Sequence, residues 1–187
     1  MIRDVVEFLG LKEDGGPALA PAELARRYPD ILDTAIRLVR QMPDRELERE
    51  LPNRPRSYRV LLHHIFQIPT AFLDMEEKGG GLTRERLEVK PDPAMSSEQI
   101  AAFGESVRAR FIEWWKGAAS GDFARPVEAY FGKASRHEVL ERTVWHSTQH
   151  TRQLASLLER SGVAPDRPLG PKDIEGLPLT ERIWDEG

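Results

Sequence analysis

Between residues 21 and 42 the large apolar side chains fall at Leu24, Tyr28, Ile31, Ala35, Leu38 and Met42, separated by 4, 3, 4, 3 and 4 residues. That spacing lays all six along one stripe of an α-helix, whereas in a strand it would scatter them over both faces. The pattern therefore predicts a helix with one side buried. Pro29 starts or kinks this helix, and Pro43 ends it. Residues 57–78 repeat the pattern with Leu61, Ile65, Ile68 and Phe72, with Ser57 as N-cap and Gly79 to Gly81 as the stop. A third stripe runs through Ile100, Phe103, Val107, Phe111 and Trp114 and opens on Ser96 with Gln99 three residues on, the spacing of a capping box. A fourth helix opens on Ser135 with Glu138, runs to about Arg160 and ends at Gly162.

Four long amphipathic helices with little room for strands predict an all-α chain, a four-helix bundle. One domain is expected over residues 1–187, with a bundle core at about 21–161 and a Pro-rich tail over 163–187. The segment LPLTERIW (177–184) gives that tail enough apolar surface to pack on the bundle. Residues 79–95 read as a long crossover or functional loop, and 122–132 as a weak candidate for a short extended pair.

Composition closes off several function classes. No apolar run approaches the ~20 residues of a membrane-spanning helix, and the N-terminus, with acids among its few apolar residues, does not read as a signal peptide. The net charge of −4, without a long basic run, provides no electrostatic footprint for nucleic acid. The small basic clusters at Arg26–Arg27 and Arg54–Arg59 read as solvated helix ends. Cysteine is absent, which removes disulfides, thiolate metal sites and any cysteine nucleophile, and fits a cytoplasmic protein.

The chain has five histidines. His146 and His150 stand four apart in the fourth helix, one above the other on the same face, so both imidazoles can reach one ion. His64 sits one turn from Leu61 and Ile68 and points inward. His63 falls with Arg59, Gln67 and Thr70 on the polar side, and His137, in the first turn of the last helix, reads as solvated. Either His64, His146 and His150 are satisfied separately at the core's edge, or they share one divalent ion that satisfies all three. Three neutral nitrogens suit Zn²⁺ or Ni²⁺ first, with Fe²⁺, Co²⁺ or Mn²⁺ compatible, and leave open positions, as catalytic sites do. Glu-x-x-His repeats for a di-iron bundle are absent, and HExxH is absent because residue 141 is Glu. Tyr58, Gln67 and Gln153 are candidate polar helpers. Trp145, Trp114 and Trp115 are expected to pack between helices or in a dimer interface, and Pro69 should free the carbonyl of Ile65 and kink the second helix.

The segments LLHHIFQIPTAFL (61–73) and SRHEVLERTVWHSTQHTRQL (135–154) resemble the DinB-like superfamily of bacterial metal-binding four-helix bundles. His64-Ile65 matches its mid-helix histidine and following aliphatic residue. His146, His150, Gln153 and Leu154 match its paired histidines and the Gln-aliphatic ending that follows them. Where many relatives have His-Arg-Gly-Gln, this chain has His-Thr-Arg-Gln, with Arg152 in the glycine position. The resemblance implies a metal held by the three histidines, often a homodimer, and in several members a transferase or isomerase reaction with a low-molecular-weight thiol. A chain without cysteine would take such a nucleophile from outside. A metal-bound hydroxide acting as a hydrolase, or metal binding without turnover, stays open beside it.

Overall fold

The computed structural model describes residues 18–52 and 54–184. The described residues are mostly helical, with two small antiparallel hairpins. In chain order the elements are α1 (Pro21–Gln41), a 3₁₀ turn at Asp44–Glu46, β1 (Glu50–Leu51), β2 (Arg54–Ser57), α2 (Tyr58–Lys78) and α3 (Arg84–Leu87). Then follow α4 (Ser97–Ala118), β3 (Pro126–Ala129), β4 (Gly132–Ser135), α5 (Arg136–Arg160) and α6 (Pro171–Ile174). No helix among these residues is long and apolar enough to cross a membrane. The expectation about the N-terminal leader lies outside the described residues, as do the last residues of the tail.

Local chemistry sets the helix ends. Ser57, Ser96 and Ser135 are the N-caps of α2, α4 and α5, and the last two complete capping boxes with Gln99 and Glu138. α2 ends at Gly79 in a positive-φ conformation. α1 begins at Pro21, so Pro29 lies inside the helix and does not start it.

The four long helices close a ring of contacts. α1 and α2 each pack against both α4 and α5, and the stripe residues of α1 are all buried in the space between them. Pro69 lacks the N–H that the Ile65 carbonyl would accept from. That carbonyl instead accepts from the Ser147 hydroxyl of α5 at 3.1 Å, and Ser147 is 2.7 Å from the Tyr28 hydroxyl of α1. One network of buried hydroxyls thus joins three helices at the level of the histidines, and no polar group is left stranded by the proline.

A second polar link crosses the other end of α2. Glu76 and Arg136 form an ion pair whose side chains are 3% and 9% exposed. Arg136 Nε donates to Glu76 Oε2 at 2.8 Å, Trp114 Nε1 donates to the same oxygen at 3.2 Å, and the guanidinium lies 4.4 Å from the Phe123 ring centre.

The loop over 79–95 is pinned to the 126–135 hairpin, since Leu82 N donates to the Glu128 carbonyl and Tyr130 N to the Leu82 carbonyl. A Cβ on Gly81 would lie 2.6 Å from the Glu128 oxygen, so only glycine permits this approach. The 122–132 region does contain half of an extended pair, β3 with β4. The β1–β2 hairpin went unanticipated.

Candidate metal centre

α2 supplies His64, and two successive turns of α5 supply His146 and His150. The ring centres of His64 lie 5.5 Å from His146 and 5.3 Å from His150, and those of the α5 pair lie 5.0 Å apart. Their ligand atoms all fall within 4.8 Å of one another. A single divalent ion bound at ~2.0–2.2 Å from each nitrogen fits this donor set, with side-chain rotation closing the remaining gap.

Outer hydrogen bonds orient two of the rings. His150 Nδ1 lies 2.9 Å from Gln153 Oε1. A carbonyl oxygen only accepts, so Nδ1 carries the proton and Nε2 is left with its lone pair. His64 hydrogen-bonds the backbone of Leu87 at the end of α3, and Gln67 Nε2 holds the Arg86 carbonyl of the same turn at 2.7 Å. Gln153 and Gln67 are therefore polar helpers, one bonded to a candidate ligand and the other fixing the turn that a candidate ligand contacts. Tyr58 packs in the core with the Arg49 guanidinium 6.0 Å from its ring centre and does not line the cavity beside the histidines.

His63 is not on a solvated face. It is 6% exposed, with its ring stacked on Phe103 at 4.9 Å and 12°, and Gln67 beside it is equally buried. The polar-face assignment presumed a helix with one covered side, but α4 and α5 cover α2 on two sides. His63 still points away from the other three. His137 is half-buried, its Nε2 2.7 Å from the Leu19 carbonyl, which ties the start of α1 to α5.

The three histidines open onto a cavity of about 200 Å³. Its walls include residues that the sequence reading did not assign to a site: Arg54 and Arg56 from the first hairpin, which read as part of a solvated helix end, Arg84 and Glu88 around α3, Tyr130, Arg142 and Trp184. Arg142 carried a signal that could have been read, since it precedes His146 by four and shares its helical face. Trp184 arrives from the tail, its ring centre 4.9 Å from His150 and 5.6 Å from His146. Trp145 is buried as expected, yet it also lines this cavity.

Arg152 explains how the tail reaches the site. It donates to the Thr180 carbonyl at 2.9 Å and to Gln149 Oε1 at 2.8 Å, while Gln149 Nε2 donates to Thr180 Oγ1 and the Arg182 carbonyl. Arg152 is thus a clamp for the tail.

Burial holds all three imidazoles neutral. It pushes His64 down to about 3, helped by the nearby Arg56 charge. It pushes His146 and His150 well below the ordinary value, helped for each by neighbouring histidine and arginine charges. Neutral imidazole is the form that binds a metal. In the unfolded chain the same rings take up protons below about 6.5, so between that pH and the depressed folded values the unfolded state holds more protons. Stability of the metal-free protein is thus full above pH 6.5 and falls as pH drops, by up to about 1.4 kcal/mol per pH unit for each histidine. Urea unfolding of chelator-treated protein at pH 7.5, 6 and 5 should show this, and His64→Gln should flatten the slope. An unchanged midpoint across that range would show that burial does not hold the rings neutral.

No curated protein matches the chain. The family model described as the DinB superfamily matches residues 30–154, a span that holds all three histidines and more than half of the chain. The chain belongs to the DinB superfamily.

Proposed function

We propose that His64, His146 and His150 hold one divalent metal ion, Zn²⁺ or Ni²⁺ by preference with Fe²⁺, Co²⁺ or Mn²⁺ compatible, and that the chain is a metal-dependent transferase using a small thiol. The observation that carries this reading is the convergence of three neutral imidazoles on one cavity, with protein ligands on one side and open volume on the other. When bound, the ion would lower the pKa of a coordinated thiol and hold the thiolate toward an electrophile. The absence of cysteine supports an external nucleophile.

The chain's own residues supply orientation and shelter. Gln153 fixes the His150 tautomer, and the Leu87 backbone fixes His64. Trp145 and Trp184 wall the cavity with apolar rings that displace water from the side facing α5. The ring of contacts among α1, α2, α4 and α5 supports the four-helix-bundle reading, and the tail clamped to α5 supports a single unit over residues 1–187. A two-fold dimer in the cytoplasm completes the proposal.

Cobalt-substituted protein tests the thiol step. A small thiol should introduce sulfur charge-transfer absorption, and transfer to an electrophile should require metal and thiol together. His146→Ala should remove both effects, and His137→Ala should leave them. Glutathione and other cellular thiols giving neither a spectral change nor turnover would exclude the transferase. Chelator-sensitive ester or amide cleavage would then decide between a hydrolase and a metal-binding protein without turnover.

A further inference from the structure

Arginines dominate the charged lining of the cavity beside the histidines. Arg54, Arg56, Arg84 and Arg142 line it, and among the described residues the one carboxylate on it is Glu88, 3.9 Å from Arg84. Arg142 is held in place, only 7% exposed, with Nη2 and Nε donating to the Tyr130 hydroxyl at 2.8 and 3.0 Å and its guanidinium 4.4 Å from the Phe131 ring centre. Arg56 is near enough to the triad that its charge disfavours protonation of all three histidines. A divalent ion on those histidines would add two more positive charges to the same small space. Guanidinium groups match carboxylate and phosphate oxygens in shape as well as charge, and the match gains strength where water is excluded.

We propose that this wall is an oxyanion-recognition site, and that the cosubstrate is a small thiol carrying a carboxylate or phosphate. Arg54, Arg56 and Arg142 hold the acid group while the sulfur reaches the histidine triad. The thiol part rests on the transferase reading above, and the acid part rests on the arginines. Selection works through charge. A neutral thiol of equal length gains the metal contact alone, and a cationic one is repelled by the wall.

Three thiols of similar length separate these terms: 3-mercaptopropionate, 2-mercaptoethanol and cysteamine. They are titrated into the cobalt-loaded full chain, with the charge-transfer band as readout. The anion should bind roughly 10-fold tighter than the neutral thiol, and the cation weakest, the span expected of one charge-assisted contact. The metal alone would not produce this order, because the ammonium makes cysteamine's thiol the more acidic. Added salt should narrow the spread, and Arg54→Gln with Arg56→Gln should bring the three within about twofold. Both positions lie on the hairpin rather than in the core, so circular dichroism of the double variant should be unchanged. Equal affinities, or a ranking untouched by the double variant, would overturn the oxyanion site and leave the thiol reading standing. If no thiol shifts the spectrum, the thiol reading fails. Calorimetry of succinate and of inorganic phosphate on the metal-loaded protein then decides the acid part. Binding lost in the double variant upholds the wall and identifies its oxyanion, and no binding overturns it.

Discussion

His150→Ala should abolish stoichiometric metal binding, with affinity falling by more than about 100-fold. Losing an outer hydrogen-bond partner of a ligand already costs 10–100-fold, and here a ligand itself is removed, together with the ring that Gln153 orients. His64→Ala should do the same from the other helix, and Gln153→Ala should show the smaller, outer-partner loss. His63→Ala should keep full metal content despite sitting next to His64, because its ring stacks on Phe103 and points away from the triad. Elemental analysis of purified protein and calorimetric titration measure all four. Metal retained at one ion per chain in both His64→Ala and His150→Ala would remove the shared site.

Glu76→Gln should destabilise the fold by about 3–5 kcal/mol, which for a chain of this size is a drop in Tm of about 10 °C. The substitution preserves shape but leaves the Arg136 charge buried without its counterion, and it weakens the acceptor for the Trp114 indole. Replacing Glu76 and Arg136 together with methionine removes both charges. It should recover much of the loss, since a well-packed apolar pair often equals a buried ion pair. Thermal and urea unfolding compare the three proteins. A Glu76→Gln midpoint within experimental error of the parent would show that solvent reaches the pair.

What was legible in the sequence was what local chemistry decides. Serine caps, the stopping glycines and the 3–4 spacing act within a few residues of themselves, so helix limits and inward stripes followed directly. The histidine triad was legible for the same reason. His146 and His150 share a helical face, and His64 lies on the apolar side of its own helix. His63 was misplaced because a helical wheel presumes one wet side, and α2 has close neighbours on both. The arginine wall was hidden by distance in the chain. Arg54 and Arg56 read as a solvated helix end because β1 and β2 are too short, and β2 too interrupted by Pro55, to announce a hairpin. Trp184 reaches the site through long-range tail contacts, the clamp at Arg152 among them, that no periodicity encodes.

The site that this clamp completes draws on two stretches of the chain. The histidines and the cavity arginines lie inside the span that matches the family, residues 30–154, whereas Trp184 lies beyond it. The inner chemistry and the outer contour are therefore written in separable stretches of the chain. Trimming or exchanging the last turn of the tail would re-cut the shape of the cavity and uncover the α5 histidines while leaving all three histidines of the cluster in the chain. In a site built this way, the range of molecules admitted can drift through a peripheral segment while the histidine cluster stays where it is.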